Sequence, residues 1–459
     1  MKKKNVFVII IDSLRSDKFI GSSKTSHTPN IDKLIENGIY FCNTVSPSDG
    51  TLFSWAGIFS GKYSFRTGIN LGRFSKVDKK MTTLFHLLKK NGYDFYGHLP
   101  EVASKIGLFP NFKNENVFFN KYVNFEDGLG QQIINELSSN MKTPWCYILH
   151  SYDLHFPMKI PEKFDEIQYG KIKYERAVSS IDYWIGKFIN CIDMKNTLLI
   201  ITADHATHIN EIEMDAETVN TETVNAEKIQ MLDSIAPKIG RIIPEKLLPI
   251  KSKVFFALEK KRKKQKEKFV SKLNLKPHQL RQILFQRGDV DKFLYDENIH
   301  VPLLIVDSKL THGTKIDHLT RSIDISPTIL DIINSEYKLE NVDGVSLLPE
   351  INNKKSEERI GFIENTPLIQ KKVNLTIGIR TSKFKYFRDR DDLTKRVHLF
   401  NLIEDKFEEN NIASSRPDIV EKMEKFISKI NYKNDSKNTT IDEKESKIIE
   451  NELEELGYD

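Results

Sequence analysis

The chain has 459 residues, of which 39% are hydrophobic and 29% charged, and its net charge is +5. These values fit an ordinary soluble protein with one large core and a smaller one. The small charge argues against nucleic acid as a partner, and no apolar stretch approaches the ~20 residues of a membrane-spanning helix.

The cysteine content and the N-terminus of the chain indicate its cellular compartment. Its three cysteines are widely spaced and form no CxxC pair, which argues against a disulfide scaffold and a cysteine-based zinc site. The lysines at 2–4 and the apolar run at 6–11 resemble the start of a signal peptide. That run is short, however, and Asp12 ends it without a small-residue cleavage site. We therefore predict a cytoplasmic protein, whose oligomeric state the sequence does not indicate.

Strand-like and helix-like segments alternate along the chain. Residues 6–11 are a continuous β-branched and aromatic run, which is typical of a strand buried on both faces. Thr28 and Pro29 open an amphipathic segment that Gly38 closes. Alternation of this kind indicates βαβ units with parallel strands and therefore an α/β fold. Further helices are predicted at 81–91 and 173–192, and further strands at 145–149, 197–201 and 301–306.

Changes in composition divide the chain into three parts. Residues 1–335 are predicted to form the catalytic domain, interrupted at 210–287 by a partly flexible insertion with a basic second half. Residues 336–432 contain short strand-like segments and turns, which predict a small C-terminal α+β subdomain with an antiparallel sheet. Residues 433–459 are polar and predict a linker and tail.

Side chains that suit a metal ion follow two of the predicted strands. Asp12 comes directly after the first strand, and Asp204 and His205 follow the strand at 197–201. Ligands bind at the carboxyl ends of strands in open α/β sheets, and a carboxylate there is desolvated unless it meets a cation. Such ligands suit Mn, Zn or Mg better than Ca. The alternatives are that Asp12 caps a turn and that His205 is a surface histidine.

A hydroxyl group is predicted at the start of a buried helix. Gly50 precedes Thr51, and an apolar run follows at 52–59. A helix N-terminus favours an anion, but threonine is a weak nucleophile unless a metal or a base activates it. The alternative is that Thr51 is a plain helix cap.

Two further segments offer acid–base or cationic groups. His150, Asp153 and His155 follow the strand at 145–149 and could supply a general acid or further cation ligands. Lys292 and His300 precede the strand at 301–306, where they could neutralise a developing oxyanion. The alternatives are a structural histidine in the first segment and a solvated loop in the second.

Together these segments resemble the sulfatase family of the alkaline phosphatase superfamily. The family pattern runs without a gap from Gly38 to its nucleophile, and Thr51 falls on that position. The family elements TPNLDRL, TGRY, HxP and TADHG have similar segments in this chain, which are, in the same order, residues 28–34, 60–63, 155–157 and 202–205. The resemblance covers nearly the whole chain except the insertion. It implies a sandwich of this type with a mostly parallel central sheet and a small C-terminal subdomain.

The sequence also departs from the family. Sulfatases carry Cys or Ser, matured to formylglycine, in a C/S-x-P/A-x-R motif. Here the motif begins with Thr51 and ends with Trp55, so that neither the oxidisable residue nor the arginine is present. We therefore expect no formylglycine. A threonine nucleophile instead resembles the phosphodiesterase and phosphoethanolamine-transfer relatives. Ser13 replaces the second carboxylate of an Asp-Asp pair, and Ala206 replaces a glycine.

The resemblance implies a metal-dependent hydrolase or transferase that acts on phosphate mono- or diesters. Asp12, Asp204 and His205 would hold one divalent ion, while Thr51 would complete its shell and attack phosphorus. His155 would protonate the leaving group or bind the transferred anion. Lys292 or His300 would stabilise the equatorial oxygens. The residues that could bind a second cation or contact the substrate are His150, Asp153 and His208.

Two other functions are open. One is a sulfuric ester hydrolase, which the missing cysteine disfavours; the other is a catalytically silent protein that binds glycans. The expected substrate is a small-molecule, glycan or lipid-linked ester. Residues 241–268 interleave apolar and basic side chains, which suits either a solvated helix or peripheral contact with an anionic membrane.

Overall fold

The computed structural model describes most of the chain outside the insertion and the tail. Lys292, most of residues 241–268 and everything after residue 430 lie outside the described part. None of the helices described is long and apolar enough to cross a membrane. The described residues are 3–69, 76–78, 80–109, 116–120, 123–155, 158–209, 211–214, 217–220, 257, 260, 264, 267–268, 270–271, 274–284, 294–310, 312–354, 357–366 and 375–430.

An eight-stranded sheet forms the centre of the protein, in the order β10-β2-β9-β6-β1-β5-β3-β4, and a separate hairpin pairs β7 with β8. These strands are β1 Asn5–Ile11, β2 Ile39–Val45, β3 Asp94–Pro100, β4 Val117–Asn120, β5 Trp145–Ser151, β6 Thr197–Thr202, β7 Glu211–Met214, β8 Glu217–Asn220, β9 His300–Val306 and β10 Thr314–Arg321.

One strand of the central sheet runs against the others. β9 pairs antiparallel with both β2 and β6, whereas the remaining neighbours pair in parallel. The apolar run at 301–306 correctly predicted a buried strand, but the expectation of a parallel one is wrong. A strand that is buried on both faces has the same composition in either direction, so its direction depends on the connection that leads into it.

Helices cover both faces of the sheet, and alternate residues of β1 enter two different cores. Val6, Val8 and Ile10 belong to one apolar cluster, while Phe7 and Ile9 belong to the other. The helices of this layer and of the insertion are α1 Ser16–Phe19, α2 Pro29–Glu36, α3 Thr51–Ser60, α4 Leu84–Lys90, α5 Glu101–Lys105, α6 Leu129–Leu137, α7 Lys173–Asn190, α8 Pro277–Ile283, α9 Asp296–Ile299, α10 Ile325–Ile332 and α11 Leu348–Ile351.

A small antiparallel sheet forms the C-terminal subdomain. Helix α12 (Pro417–Ile430) packs Ile419, Met423 and Ile427 into the apolar cluster on this sheet. The predicted α/β fold, with a mostly parallel central sheet and a small C-terminal sheet, is confirmed. The four strands, in order along the chain and in the sheet, are β11 Gly361–Glu364, β12 Thr376–Arg380, β13 Phe384–Asp389 and β14 His398–Asn401.

Candidate active site

The register of three parallel strands places three metal-compatible side chains together. Ile10 on β1 lies opposite His150 on β5 and opposite Thr202 on β6. Because side chains alternate between faces, the residues two positions later, Asp12 and Asp204, extend from the same face at the ends of their strands. One ligand atom from each of Asp12, His150 and Asp204 lies within 4.8 Å of the other two.

These three side chains, the acid–imidazole cluster, are buried and incompletely hydrogen-bonded. His150 Nε2 is 3.8 Å from Asp12 Oδ2 and 3.7 Å from Asp204 Oδ2, which is too long for hydrogen bonds. Among the described residues, Asp204 Oδ2 and both ring nitrogens of His150 have no hydrogen-bond partner. Ser13 donates to Asp12 Oδ1 at 2.7 Å. Buried polar groups without partners are rare, and they indicate a missing ion or ligand.

His205 faces the same cluster from the loop after β6. Its Nε2 is 3.6 Å from Asp12 Oδ1 and 3.8 Å from Asp204 Oδ2. Burial alone would lower the pKa of His205, but the carboxylates of Asp204 and Asp12 raise it. Burial alone would raise the pKa of Asp204, but the imidazoles of His205 and His150 hold it well below its ordinary value. The two carboxylates therefore create a site for positive charge.

Thr51 is the first residue of α3 and is buried against His205. Its Oγ1 lies 3.4 Å from His205 Nε2. The N-cap is Gly50, which has no side chain to accept from the first-turn N–H groups. This end of the helix, with its partial positive charge, can therefore receive an anion next to the threonine hydroxyl.

The C-terminal subdomain holds the loop that precedes Thr51. Thr366, just after β11, donates its backbone N–H to Asp49 Oδ1 at 2.6 Å, and its hydroxyl lies 2.9 Å from Ser48 Oγ. A Cβ on Gly50 would be 2.3 Å from Thr366 Oγ1, so only glycine allows this approach. No local pattern indicates that these residues meet, because more than three hundred positions separate them.

Helix α9 holds the other loop of the site. Asn298 accepts from the backbone N–H of Ala206 at 2.8 Å, and its side-chain Nδ2 lies 2.9 Å from His208 Nε2. His208 thus contacts Asn298 beside the loop that carries Asp204 and His205, and it is not part of the acid–imidazole cluster.

The remaining predicted residues have different environments. Asp153 is buried and accepts from Phe125 N and Ser151 Oγ, and burial raises its pKa to about 6. His155 lies in the loop after β5, with its ring against Tyr152. His300 is half-buried, and its Nε2 lies 3.0 Å from the carbonyl oxygen of Cys42. Their catalytic or ligand roles stay predictions, as does that of Lys292, which lies outside the described residues.

The residues of the acid–imidazole cluster fit a divalent cation. Two carboxylates and one imidazole offer buried oxygen and nitrogen donors within one ion's reach, and a second imidazole and a hydroxyl lie beside them. His150, which the sequence suggested as a general acid, a ligand of a second cation or a substrate contact, is the imidazole that groups with the two carboxylates. The orphaned Asp204 and His150 atoms are the structural reason to expect an ion here.

Comparison with protein-family models decides the family. A model described as "Sulfatase" matches residues 4–335, which is well over half of the chain. The chain belongs to the sulfatase family. A second model, described as "N-sulphoglucosamine sulphohydrolase, C-terminal", matches residues 287–433. The family expected from the sequence motifs is confirmed.

Curated relatives match a part of this sulfatase-family chain. Arylsulfatase K of Rattus norvegicus is 30% identical over 146 residues, which are 30% of this chain and 26% of the relative. Arylsulfatase K of Gallus gallus is 31% identical, again over 146 residues, with shares of 30% and 27%. The matched stretch is thus about a quarter of the length of these relatives.

Solved structures share the fold over nearly the whole chain. A 2-O GAG sulfatase gives a TM-score of 0.65 at 14% identity and covers 95% of this chain and 93% of its own. A protein in complex with its substrate D-glucosamine-2-N,6-O-disulfate gives 0.63 at 15% identity, covering 95% and 100%. At these identities the likeness establishes the fold alone.

The predicted specificity for phosphate esters is wrong. The family model and the arylsulfatase relatives point to sulfuric ester hydrolysis, which the sequence had ranked second. The phosphate prediction depended on the threonine at position 51. A hydroxyl nucleophile can attack either a phosphoryl or a sulfuryl centre, since both are tetrahedral and surrounded by oxygens, so that residue type alone does not select between them.

Proposed function

We propose that this sulfatase-family chain hydrolyses sulfate esters of glycans, with Thr51 as the attacking group. One observation carries the proposal. Thr51 Oγ1 lies at the N-terminus of a buried helix, 3.4 Å from His205 Nε2 and beside the acid–imidazole cluster. A sulfate group placed there would meet a nucleophile, a base and the positive end of a helix.

Asp12, His150 and Asp204 are the residues that would hold a divalent ion. When bound, the ion would neutralise the sulfate oxygens and make the Thr51 hydroxyl more acidic. Mn, Zn and Mg suit this mixed oxygen and nitrogen donor set better than Ca. His205 stands beside the ion site and faces Thr51, so it can add to the ligands or accept the threonine proton; we assign it the second role.

Thr51 begins the reaction by attacking sulfur. Its proton passes to His205 Nε2. In the neutral imidazole this nitrogen carries the lone pair, because Nδ1 donates to the carbonyl of Ala206 at 2.8 Å. The bond from sulfur to the glycan oxygen breaks, and that oxygen takes a proton from His155. The products of this step are a free sugar hydroxyl and a sulfate ester on Thr51.

A water molecule completes the cycle. Its oxygen attacks the sulfur of the Thr51 ester, the bond between sulfur and threonine oxygen breaks, and hydrogen sulfate leaves. The threonine oxygen takes its proton back from His205, and the deprotonated His155 receives the proton lost by the attacking water. No formylglycine takes part, because a threonine side chain is a secondary alcohol whose oxidation would give a ketone and not an aldehyde.

Glycans are the favoured substrate class for two reasons. The solved neighbours include a 2-O GAG sulfatase and a complex with a disulfated glucosamine. In addition, the second family model describes the C-terminal region of a sulfatase that acts on a sulfated amino sugar. In this chain the corresponding region touches the loop next to Thr51 through Thr366, so it stands where it can contact a substrate.

The proposal is tested by measuring turnover with metal-stripped protein reloaded with Mn, Zn, Mg or Ca. The panel contains an aryl sulfate, sulfated disaccharides, an aryl phosphate and an aryl phosphodiester. We expect sulfate esters to be cleaved fastest and activity to depend on the added ion. Absence of sulfate release with every ion, or faster cleavage of the phosphate esters, would refute it.

A further inference from the structure

The two histidines of the site are oriented in different ways. His205 has a hydrogen bond on the nitrogen that faces away from the cluster, from Nδ1 to the Ala206 carbonyl. A hydrogen bond of this kind fixes the tautomer and the ring direction of a histidine. His150 has no such bond, because both of its ring nitrogens are buried without a hydrogen-bond partner among the described residues. Something else must fix the direction of its ring.

Two aromatic rings contact His150 almost at right angles. The ring centroid of Trp55 lies 4.8 Å away with an interplanar angle of 82°, and that of Tyr152 lies 4.6 Å away with an angle of 87°. Edge-to-face contacts at these separations are favourable for aromatic rings. The two rings come from different elements, Trp55 from α3 and Tyr152 from the loop after β5.

The Trp55 ring is itself buried and packed against a second aromatic side chain. Trp55 is 2% exposed, and its ring packs edge-on against Phe59 one helical turn further along α3. It also stands four residues after Thr51, on the same face of the helix, because residues four apart lie one above the other. The helix that presents the nucleophile therefore also presents the ring that contacts His150.

We propose that Trp55 and Tyr152 are positioning residues that aim His150 Nε2 at Asp12 and Asp204. Packing against the two rings fixes the direction of the His150 imidazole, as the hydrogen bond to the Ala206 carbonyl fixes the direction of the His205 imidazole. This inference rests on the proposed function, since it assigns His150 a share in holding the ion. It also gives a role to the tryptophan found where the sulfatase motif carries arginine: a charged group is replaced by a ring that orients a ligand.

Calorimetric titration of Mn²⁺ into metal-stripped protein tests the proposal without any sulfate ester. Trp55→Leu removes the ring and should weaken Mn²⁺ binding by ~10–100-fold, the usual effect of losing the group that orients a metal ligand. Trp55→Phe keeps a ring and should bind nearly as tightly as wild type. Phe188→Leu is the matched control, since it removes a buried aromatic ring that packs against Phe125 and Trp184 and is not part of the contacts around Trp55 and His150, and it should leave Mn²⁺ affinity unchanged.

The orientation of His150 gives a second readout that does not require a metal. Crystal structures of metal-free wild type and Trp55→Leu should show the imidazole in different rotamers. If Trp55→Leu fails to fold, as judged by circular dichroism, Tyr152→Leu takes its place, with the same expected results. Wild-type affinity together with an unchanged imidazole in the folded variant would overturn the proposal.

The outcomes also separate this inference from the proposed function. If wild type binds Mn²⁺ but releases no sulfate, the proposed function fails, while the affinities still decide the role of the two rings. If wild type binds no metal, the metal part of the proposed function fails. The inference is then decided by the imidazole alone: an unchanged rotamer in the variant overturns it, and a changed one supports the positioning role.

Discussion

Thr51 Oγ1 lies 3.4 Å from His205 Nε2, although 154 positions separate the two residues in the chain. Thr51 is the first residue of α3, and His205 lies in the loop that follows β6. Their contact places a hydroxyl, an imidazole and the N-terminus of a helix beside two buried carboxylates. This is the arrangement from which the proposed attack on sulfur follows.

Replacement of Thr51 by alanine should lower kcat for sulfate esters by roughly 10³-fold or more, because the attacking group is lost. The midpoint of thermal unfolding should change little, since one hydroxyl is removed from the start of a helix. Ser60→Ala, at the other end of α3, is the control and should retain activity. Thr51→Ala activity within a few-fold of wild type would show that another group attacks.

Asp204→Asn should remove most of the stabilisation that Mn²⁺ gives to the folded protein. The ion stabilises only the state that binds it, so a weaker site gives a smaller rise of the thermal midpoint. The measurement is differential scanning fluorimetry with increasing Mn²⁺. The control is Asp182→Asn, because Asp182 is a buried carboxylate outside the acid–imidazole cluster that accepts hydrogen bonds from Asn30 and Ile31. The thermal midpoint of this variant should fall, but Mn²⁺ should still raise it. Equal Mn²⁺ responses of Asp204→Asn and wild type would contradict the assigned ion site.

Glu364 should make the stability of the protein depend on pH. Burial raises its pKa to about 7, so the folded protein binds a proton that the unfolded chain has already released above its ordinary pKa near 4.3. Stability should therefore fall as pH rises through this window. Relative to Glu364→Gln, the wild-type free energy of unfolding should drop by roughly 2–3 kcal/mol between about pH 5 and pH 8. Urea titrations measure it, and parallel pH profiles would exclude the effect.

Lys385 should be essential for joining the C-terminal sheet to α9. It is fully buried, contacts Asp296, lies 2.6 Å from Glu408 and donates to the carbonyl of Leu294 at 3.0 Å. Lys385→Met would leave Glu408 without its cation and Asp296 with only Arg380, 3.4 Å away, so the free energy of unfolding should fall by ~3–5 kcal/mol. Lys383→Met, at an exposed neighbouring position, should change it by less than about 0.5 kcal/mol. Similar denaturant midpoints for the two variants would disprove this role.

Several features could be predicted from the sequence because they depend on short stretches of chain. The apolar run of β1 and the one that became β6 were recognisable as buried strands, and Asp12, Asp204 and His205 were recognisable as ligand-type residues after strand ends. The family elements fixed the fold class in the same way. Each of these signals lies within a few consecutive residues and needs no knowledge of what packs against it.

Other features were decided only by the tertiary structure. The antiparallel direction of β9 is not recorded in its composition, because a strand buried on both faces has the same composition in either direction. The grouping of His150 with Asp12 and Asp204 depends on the register between β1, β5 and β6, and register is set by packing of whole faces. The contact of Thr366 with the loop before Thr51, and of Trp55 with His150, joins segments far apart in sequence. Such contacts form because apolar surfaces are buried together, and no local pattern specifies their partners.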